Sequence, residues 1–287
     1  MAKLIINIGL PASGKSTESE KRIRSDGNTV RINKDLLRTM LHFDKFTGRN
    51  EELTRKAART LASTFLGSEI NVIVDDTNLN PGTKQSWKDL AKEHDANIEY
   101  IDMTSVPVED CISRDSGREK TVGKHVIQKM ALQHLEYMKG EKVVICDLDG
   151  TLADCSHRQH FLSHEKKDWK GFFDGIPDDT VRIDVLDQIL ELEKENKIIF
   201  VSARPENYRR QTEEWLQKTF KGYELGTALI MREANDKRPD TEVKSDIYDK
   251  YLKNLDITVV FDDRPSVIRM WREKGLTVTD VGEGKEF

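Results

Sequence analysis

Apolar runs of four to six residues recur along this chain, and each gives way to a polar, helix-compatible stretch. Leu4-Ile5-Ile6-Asn7-Ile8, the segment from Asn28 to Asn33, Asn71-Val72-Ile73-Val74-Asp75-Asp76 and the segment from Asn97 to Asp102 read as strands. Val143-Val144-Ile145-Cys146, Ile198-Ile199-Phe200-Val201, Ala228-Leu229-Ile230 and the segment from Ile257 to Phe261 repeat the pattern in the second half. Between them the spacing predicts helices over Lys34 to Leu41, Glu51 to Leu66, Gly123 to Met138, Glu206 to Phe220 and Pro265 to Lys274. Another starts at Pro81, since proline is tolerated at a first helical position. Leu53, Ala57, Leu61 and Phe65 fall at helical spacing in the second of these, and Val267, Ile268 and Met270 point inward in the last. Strand–helix alternation implies an α/β protein with mainly parallel sheets flanked by helices. Such sheets carry their sites at the carboxyl ends of the strands. Gly140 stops a helix and Val143 restarts a strand, so two domains are expected, 1–140 and 141–287.

The first strand runs into Gly9-Leu10-Pro11-Ala12-Ser13-Gly14-Lys15-Ser16-Thr17, and a polar helical segment follows. Strand, glycine-rich turn, Gly-Lys-Ser and helix are the context of a phosphate-binding P-loop. Gly9 and Gly14 let the backbone approach phosphate oxygens, and N–H groups at a helix start face the anion. Lys15 bridges β- and γ-phosphates and the Ser16 hydroxyl suits Mg²⁺, which makes ATP the expected donor. Past the other strand ends stand Asp35 with Arg38, then Asp76, then Arg114 and Arg118. Transfer to an alcohol needs a base, for which Asp35 is the candidate, with a plain helix cap as its alternative. It also needs cations over the phosphates, which Arg114 and Arg118 on a lid would supply, while Asp76 would hold Arg38 or the metal. In the second half a strand runs into Asp147-Leu148-Asp149-Gly150-Thr151. Gly150 permits the turn that brings both carboxylates to one place, where one attacks phosphorus and the other handles the leaving-group proton. Mg²⁺ is the natural ion for such oxygen ligands.

Charge and composition narrow this only slightly. At 287 residues and a formal net charge of −5 the chain has no global basic field for gripping long duplexes, although a protein that reads strand ends needs few phosphate contacts. Cys111, Cys146 and Cys155 are too few and scattered for a disulfide framework or zinc site, which fits a reducing cytoplasm. No stretch reads as a signal peptide or membrane span.

The strings Gly-x-Pro-x-Ser-Gly-Lys-Ser-Thr, Ile-Asn-Lys-Asp-x-x-Arg and Asp-Thr-Asn-Leu-Asn-Pro (Asp76 to Pro81) resemble the kinase half of the bacteriophage polynucleotide 5′-kinase/3′-phosphatase family. The resemblance implies that Asp35 is the general base for a 5′-hydroxyl, that Arg38 holds the acceptor phosphate with Asp76 in support, and that Arg114 and Arg118 are lid arginines on ATP. The second half, with Asp147 to Thr151, Ser202-Ala203-Arg204 and Asp262-Asp263-Arg264, resembles the haloacid dehalogenase superfamily of aspartate-based phosphatases. That implies Asp147 as nucleophile, Asp149 as general acid and base, and Thr151, Ser202 and Lys244 on the transferring phosphate. Asp262 and Asp263 would complete a Mg²⁺ site with Asp147 and the Asp149 carbonyl, and Arg204, Arg232 and Arg264 would contact substrate. Residues Ala153 to Asp179 depart from the phage pattern; an insertion there is a small cap in the superfamily. Its His157, His160 and His164 read as metal or substrate ligands or as plain polar surface, and Trp169, Phe172 and Phe173 as packing.

The expected protein therefore heals DNA or RNA ends, giving 5′-phosphate and 3′-hydroxyl termini that a ligase joins. The family resemblance adds self-association and, for a phage gene, the host cytoplasm. A bifunctional small-metabolite kinase/phosphatase is the rival reading, and a degenerate nucleotide-binding module is a weaker one.

Overall fold

The computed structural model describes residues 1–163, 165–220 and 228–284; His164 lies outside them. The chain forms two compact units, Met1–Leu135 and Glu136–Phe287, dividing slightly before the boundary expected at 140.

The first unit holds β1 (Lys3–Ile8), β2 (Thr29–Ile32), β3 (Asn71–Val74) and β4 (Asn97–Asp102) in the order β2-β3-β1-β4, every pair parallel. β1 is buried at all but its first residue, which is why it is apolar apart from Lys3 and Asn7, whose buried amide is hydrogen-bonded to Ser19 and Asp75. The helices are α1 (Lys15–Ser25), α2 (Lys34–His42), α3 (Gly48–Gly67), α4 (Pro81–Glu93), α5 (Val108–Ser116) and α6 (Lys124–His134). Asn33 caps α2 by accepting from Leu36 N, and Asn80 caps α4 ahead of Pro81. Two expectations need correction here. Thr47 caps α3, so that helix begins before Glu51. Its buried face is Thr54, Ala58, Ala62 and Leu66, one position round from the spacing read in the sequence. Leu53 and Leu61 remain 44% and 37% exposed. Small side chains at 58 and 62 let α3 lie close to β2 and β3, and that approach outweighs burial of the larger leucines.

The second unit orders its parallel strands β11-β10-β5-β8-β9. They are β5 (Lys142–Cys146), β8 (Lys197–Pro205), β9 (Ala228–Arg232), β10 (Asp256–Asp262) and β11 (Val278–Asp280). Helices α8 (Ile183–Glu193), α9 (Arg209–Thr219), α10 (Asp240–Ile247) and α11 (Pro265–Glu273) flank them. α11 buries Val267, Ile268 and Trp271, with Met270 only half-buried. The expected insertion is a two-stranded antiparallel pair, β6 (Ala153–Asp154) with β7 (Thr180–Val181), enclosing a 3₁₀ turn at Ser156–Leu162 and helix α7 (Trp169–Asp174). From β5 the chain builds β8 and β9 on one side and β10 and β11 on the other, so the strand order reverses between β5 and β10. The crevice at their carboxyl ends is where such a sheet binds its ligand. All three cysteines are free and buried, and no helix among the described residues is long and apolar enough to cross a membrane.

Candidate active sites

The turn after β1 has the backbone that a phosphate cradle requires. Gly9 sits at φ +152°, where a Cβ would lie 2.8 Å from Ser13 Oγ, and Gly14 opens α1 at φ +105°. Lys15, the first residue of α1, is buried and donates to Leu10 O and, at 3.3 Å, to Ser13 Oγ. Ser16 and Thr17 are exposed. Burial pulls the Lys15 pKa down to about 8, against the upward pull of Asp75, and Arg118 adds repulsion. A triphosphate bound here would restore the ammonium, so binding above pH 8 must take up a proton. Triphosphate affinity is therefore expected to weaken between pH 8 and 9.5. Titration calorimetry at pH 9 in buffers of different ionisation enthalpy should register uptake approaching one proton; a pH-independent affinity would contradict this.

Asp35 lies in the first turn of α2, and its side chain is 82% exposed. Asn33 already caps that helix, which removes the plain capping account of Asp35. Arg38 NH1 donates to Asp35 Oδ1 at 2.6 Å, which brings the two side chains together. The support expected from Asp76 comes instead from Glu51, on α3, which takes the other side of the guanidinium through Nε and NH2. Asp76 accepts from Lys34 N at 3.0 Å through Oδ1, while its buried Oδ2 accepts no hydrogen bond and faces only Lys34 Nζ, at 3.5 Å. Burial raises its pKa. Glu51 was not singled out in the sequence because it reads as one more charge at a helix start. Arg114 and Arg118 sit at and just beyond the end of α5, paired with Asp110 (3.6 Å) and Asp115 (3.5 Å). Asp115, also missed, is buried and accepts from Val122 N and Gly123 N, which ties down the segment that follows Arg118.

In the second unit, Asp147 follows β5 and Asp262 ends β10, one on each side of the crevice. One carboxylate oxygen each from Asp147, Asp262 and Asp263 lies within 4.8 Å of the others, all three residues being buried. Lys244, from α10, reaches Asp147 Oδ1 at 2.9 Å and Asp262 Oδ2 at 2.7 Å. Thr151 donates to Asp263 Oδ1 at 3.2 Å and approaches Asp147 Oδ2 at 3.5 Å. Gly150, at φ +81°, leaves no room for a side chain, because a Cβ would fall 2.1 Å from Asp263 Oδ2. Burial raises the pKa of Asp147 and of Asp263; it opposes the charge of Lys244, but Asp147 and Asp262 hold that ammonium protonated. Three hard oxygen ligands crowded beside a single ammonium fit a divalent cation such as Mg²⁺, which would relieve their repulsion. Ser202, within β8 three residues before its end, lines the same crevice.

Asp149 is held differently. Its Oδ1 accepts from Arg204 Nε at 3.0 Å and from NH2 groups of both Arg204 and Arg158. Burial works against its charge, but the two guanidiniums outweigh it and bring the pKa down to about 2. Both arginines are completely buried, and both continue to Asp179, which accepts from Arg158 Nε at 2.6 Å and Arg204 NH2 at 2.8 Å. His157 Nε2 also reaches Asp179, at 3.0 Å, so this histidine belongs to the network rather than to a metal site. Arg204 was expected on substrate; it is committed to Asp149 and Asp179 instead. Arg232 is likewise committed: it donates to the carbonyls of Ala203 (2.8 Å) and Arg238 (2.6 Å) and to Asp240, which Arg264 also grips. Neither Asp179 nor Asp240 announces itself in the sequence, since Asp179 is the second of two adjacent aspartates ahead of a short strand and Asp240 reads as an ordinary acidic residue at a helix start. Asp179→Ala would strand two buried guanidiniums on one carboxylate. It is expected to cost about 3–5 kcal/mol in denaturant unfolding of the whole chain; a loss below about 1 kcal/mol would show that the network contributes little.

Fold and geometry together define the class: a P-loop kinase-like unit followed by a haloacid dehalogenase-like unit with a small cap. Residues 141–286 match the polynucleotide kinase PNKP phosphatase domain, and residues 4–139 match an AAA domain family. The first match takes in just over half of the chain, and the chain belongs to the polynucleotide kinase PNKP phosphatase domain family. A bifunctional polynucleotide kinase/RNA ligase of Autographa californica nuclear polyhedrosis virus is 26% identical over 299 residues, spanning 94% of this chain and 41% of the viral protein. The bifunctional polynucleotide phosphatase/kinase of Schizosaccharomyces pombe is 28% identical over 103 residues, 36% of this chain and 21% of that protein. Both matches thus span well under half of the relative's own length. A chain in the Pnkp1/Rnl/Hen1 RNA repair complex is 28% identical, with 99% of this chain and 97% of that chain covered at a TM-score of 0.43.

Proposed function

We propose that this chain heals nucleic-acid ends, phosphorylating a 5′-hydroxyl from ATP in residues 1–140 and removing a 3′-phosphate in residues 141–287. The carrying observation is the carboxylate and ammonium cluster of Asp147, Asp262, Asp263 and Lys244 at the strand-order reversal, in a family of polynucleotide kinase phosphatase domains. In the first unit the P-loop from Gly9 through Ser13, Gly14, Lys15, Ser16 and Thr17 cradles the triphosphate. Arg114 and Arg118 cover it, and Asp35 takes the proton of the 5′-hydroxyl. Arg38, braced by Glu51, holds the acceptor phosphate, and Asp76 orders the strand end through Lys34.

In the second unit Asp147 attacks phosphorus, forming an aspartyl-phosphate as the bond to the 3′-oxygen breaks. Lys244, Thr151 and Ser202 hold the transferring phosphoryl group. Mg²⁺ bound by Asp147, Asp262, Asp263 and the Asp149 carbonyl would neutralise charge on that group. Asp149 then takes a proton from the water that hydrolyses the aspartyl-phosphate, returning Asp147. Its depressed pKa suits it to remain an anion between turnovers. To protonate the departing 3′-oxygen, Asp149 must first take up a proton from solvent as it loosens its contacts with Arg158 and Arg204 while substrate is bound, and the proton it later removes from water returns to solvent before the next turnover. Arg264 and Arg232 shape the cleft through Asp240. The products, a 5′-phosphate and a 3′-hydroxyl, are the ends that a nucleic-acid ligase consumes.

The test is a mass-spectrometric assay of one oligonucleotide bearing a 5′-hydroxyl and a 3′-phosphate, with Mg²⁺, with and without ATP. Loss of the 3′-phosphate without ATP and gain of a 5′-phosphate only with it are expected. No change at either end, while a small phosphomonoester is still hydrolysed, would favour a metabolite enzyme.

A further inference from the structure

The clustered carboxylates of the second unit stand on two different turns. Asp147 opens the turn after β5, while Asp262 and Asp263 lie at the end of β10. The ladder between those strands ends at the Cys146–Phe261 pair, closed by Asp147 N, which donates to Phe261 O at 3.0 Å. Past that point side chains join the two turns. Thr151 and Lys244 do so from inside the crevice, through the carboxylates themselves. Arg182 does so from outside, through the backbone.

Arg182 follows β7, the strand by which the chain returns from the cap. Its NH1 donates to Gly150 O and to Val281 O, at 2.8 Å each, so one nitrogen with two hydrogens spans the two turns. Arg182 N also donates to Leu152 O at 2.9 Å, and the residue thus grips the first turn twice. Inside that turn Gly150 N donates to Ala153 O at 2.9 Å, and the trans peptide points the Asp149 carbonyl away from Ala153. On the other side, Val281 N donates to Asp262 O at 3.2 Å. Gly282 lies so close over Asp263 that a Cβ would fall 2.0 Å from the Asp263 carbonyl oxygen, and Gly282 N is tied to Asp280 Oδ1 at 3.0 Å. Residues 280–282 therefore form a backing strip on the Asp262–Asp263 backbone, and Arg182 pins that strip to Gly150. Asp184 Oδ2 steadies the guanidinium at 3.2 Å. Among the described residues the hydrogen bonds of Arg182 go to Gly150, Leu152, Val281 and Asp184, so it acts on the carboxylates only through the chain that carries them.

Carboxylate oxygens within 4.8 Å of one another repel and push their turns apart. A brace outside the cluster resists that repulsion before a cation arrives. We propose that Arg182 is a positioning residue, stapling the Gly150 turn to the Val281 strip and so presetting the spacing of Asp147, Asp262 and Asp263 for a divalent cation. This rests on the 3′-phosphatase reading above and adds to it a residue that belongs to neither the motifs nor the cluster.

The test titrates the whole, ATP-free chain with Mn²⁺, an ion that takes the same oxygen ligands, and follows the free ion by electron paramagnetic resonance. The share of this site is the binding that Asp263→Asn removes. Loss of an outer partner commonly costs about 10- to 100-fold in metal affinity, and Arg182→Ala is expected to raise the Mn²⁺ dissociation constant by that factor. Hydrolysis of a 3′-phosphate oligonucleotide should demand a matching rise in Mg²⁺, with the oligonucleotide KM at saturating Mg²⁺ within about twofold of wild type. Arg182→Lys, which keeps donors for both carbonyls, should recover most of the affinity. If Arg182→Ala does not fold, Arg182→Gln reads the same loss with a milder truncation. Unchanged Mn²⁺ affinity in a folded variant, or a raised oligonucleotide KM with Mn²⁺ affinity intact, overturns the inference. So does an equal loss in Arg182→Lys and Arg182→Ala, which marks a merely structural role, and so does the absence of any Mn²⁺ binding that Asp263→Asn removes. Wild-type protein that binds Mn²⁺ at this site and hydrolyses no 3′-phosphate refutes the phosphatase reading, while the Mn²⁺ affinities of the variants still decide the staple.

Discussion

Asp147→Asn is expected to lower 3′-phosphate hydrolysis by about 10⁴-fold or more, while ATP-dependent 5′-phosphorylation by the same protein stays within about twofold of wild type. The substitution keeps the shape of the side chain and an oxygen for Lys244, but an amide cannot form the acyl phosphate. Folding should not suffer. Burial raises the Asp147 pKa above its unfolded value, so the folded state binds the proton more tightly than the unfolded chain. Between the ordinary carboxylate range and the raised value, stability then falls as pH rises. At neutral pH burying this carboxyl is a net cost relative to the solvated, ionised group of the unfolded chain, and replacing it with a neutral amide should leave the melting temperature unchanged or higher. The end assay reads both activities in one tube. Loss of both in a protein that melts normally would refute two separate sites; retained hydrolysis would move the nucleophile elsewhere, with Asp149 next in line.

The P-loop and the Asp147–Thr151 turn were readable because their chemistry is local. A glycine with positive φ, a helix start and a lysine sit within a few residues of one another, and so do Gly150 and the aspartates that flank it. Both parallel sheets were readable for a similar reason, since strands buried on two faces leave continuous apolar runs. What escaped depends on partners far apart in sequence. Glu51 reaches Arg38 across the α2–α3 turn, and Asp179 binds Arg204 across 25 positions. Nothing in the neighbourhood of either carboxylate distinguishes it from a solvated charge. The inward face of α3 was missed because size and spacing pointed to leucines, whereas close approach to the sheet selected alanines. Trp169 escaped for the opposite reason: an aromatic in an apolar cluster reads as core, and only the cleft beside it shows that half the ring is exposed.

Asp35→Ala is expected to lower 5′-phosphorylation by about 10²–10⁴-fold, the usual contribution of a positioned general base, and to leave 3′-phosphate hydrolysis unchanged. The structural argument is one of elimination joined to geometry. Asp35 stands in the first turn of α2, immediately past the carboxyl end of β2, yet the helix is capped by Asn33, so the carboxylate does no capping work. It is exposed on one side, and Arg38 at 2.6 Å fixes it on the other. Arg38 in turn is clamped by Glu51, so removing Asp35 leaves the guanidinium in place. The loss should therefore fall on kcat, with the KM for the acceptor end changed little. Arg38 gives the contrast, because its loss should raise the acceptor KM and release Asp35 from its rotamer. If Asp35→Ala instead raises the acceptor KM with kcat intact, the carboxylate only positions Arg38, and the base must be sought elsewhere. Asp76 is then the obvious group to test, with a buried oxygen that accepts no hydrogen bond and a pKa that burial has raised. The pH dependence of kcat in wild type and Asp35→Asn would separate the two, since a surviving acidic limb in the variant would belong to Asp76.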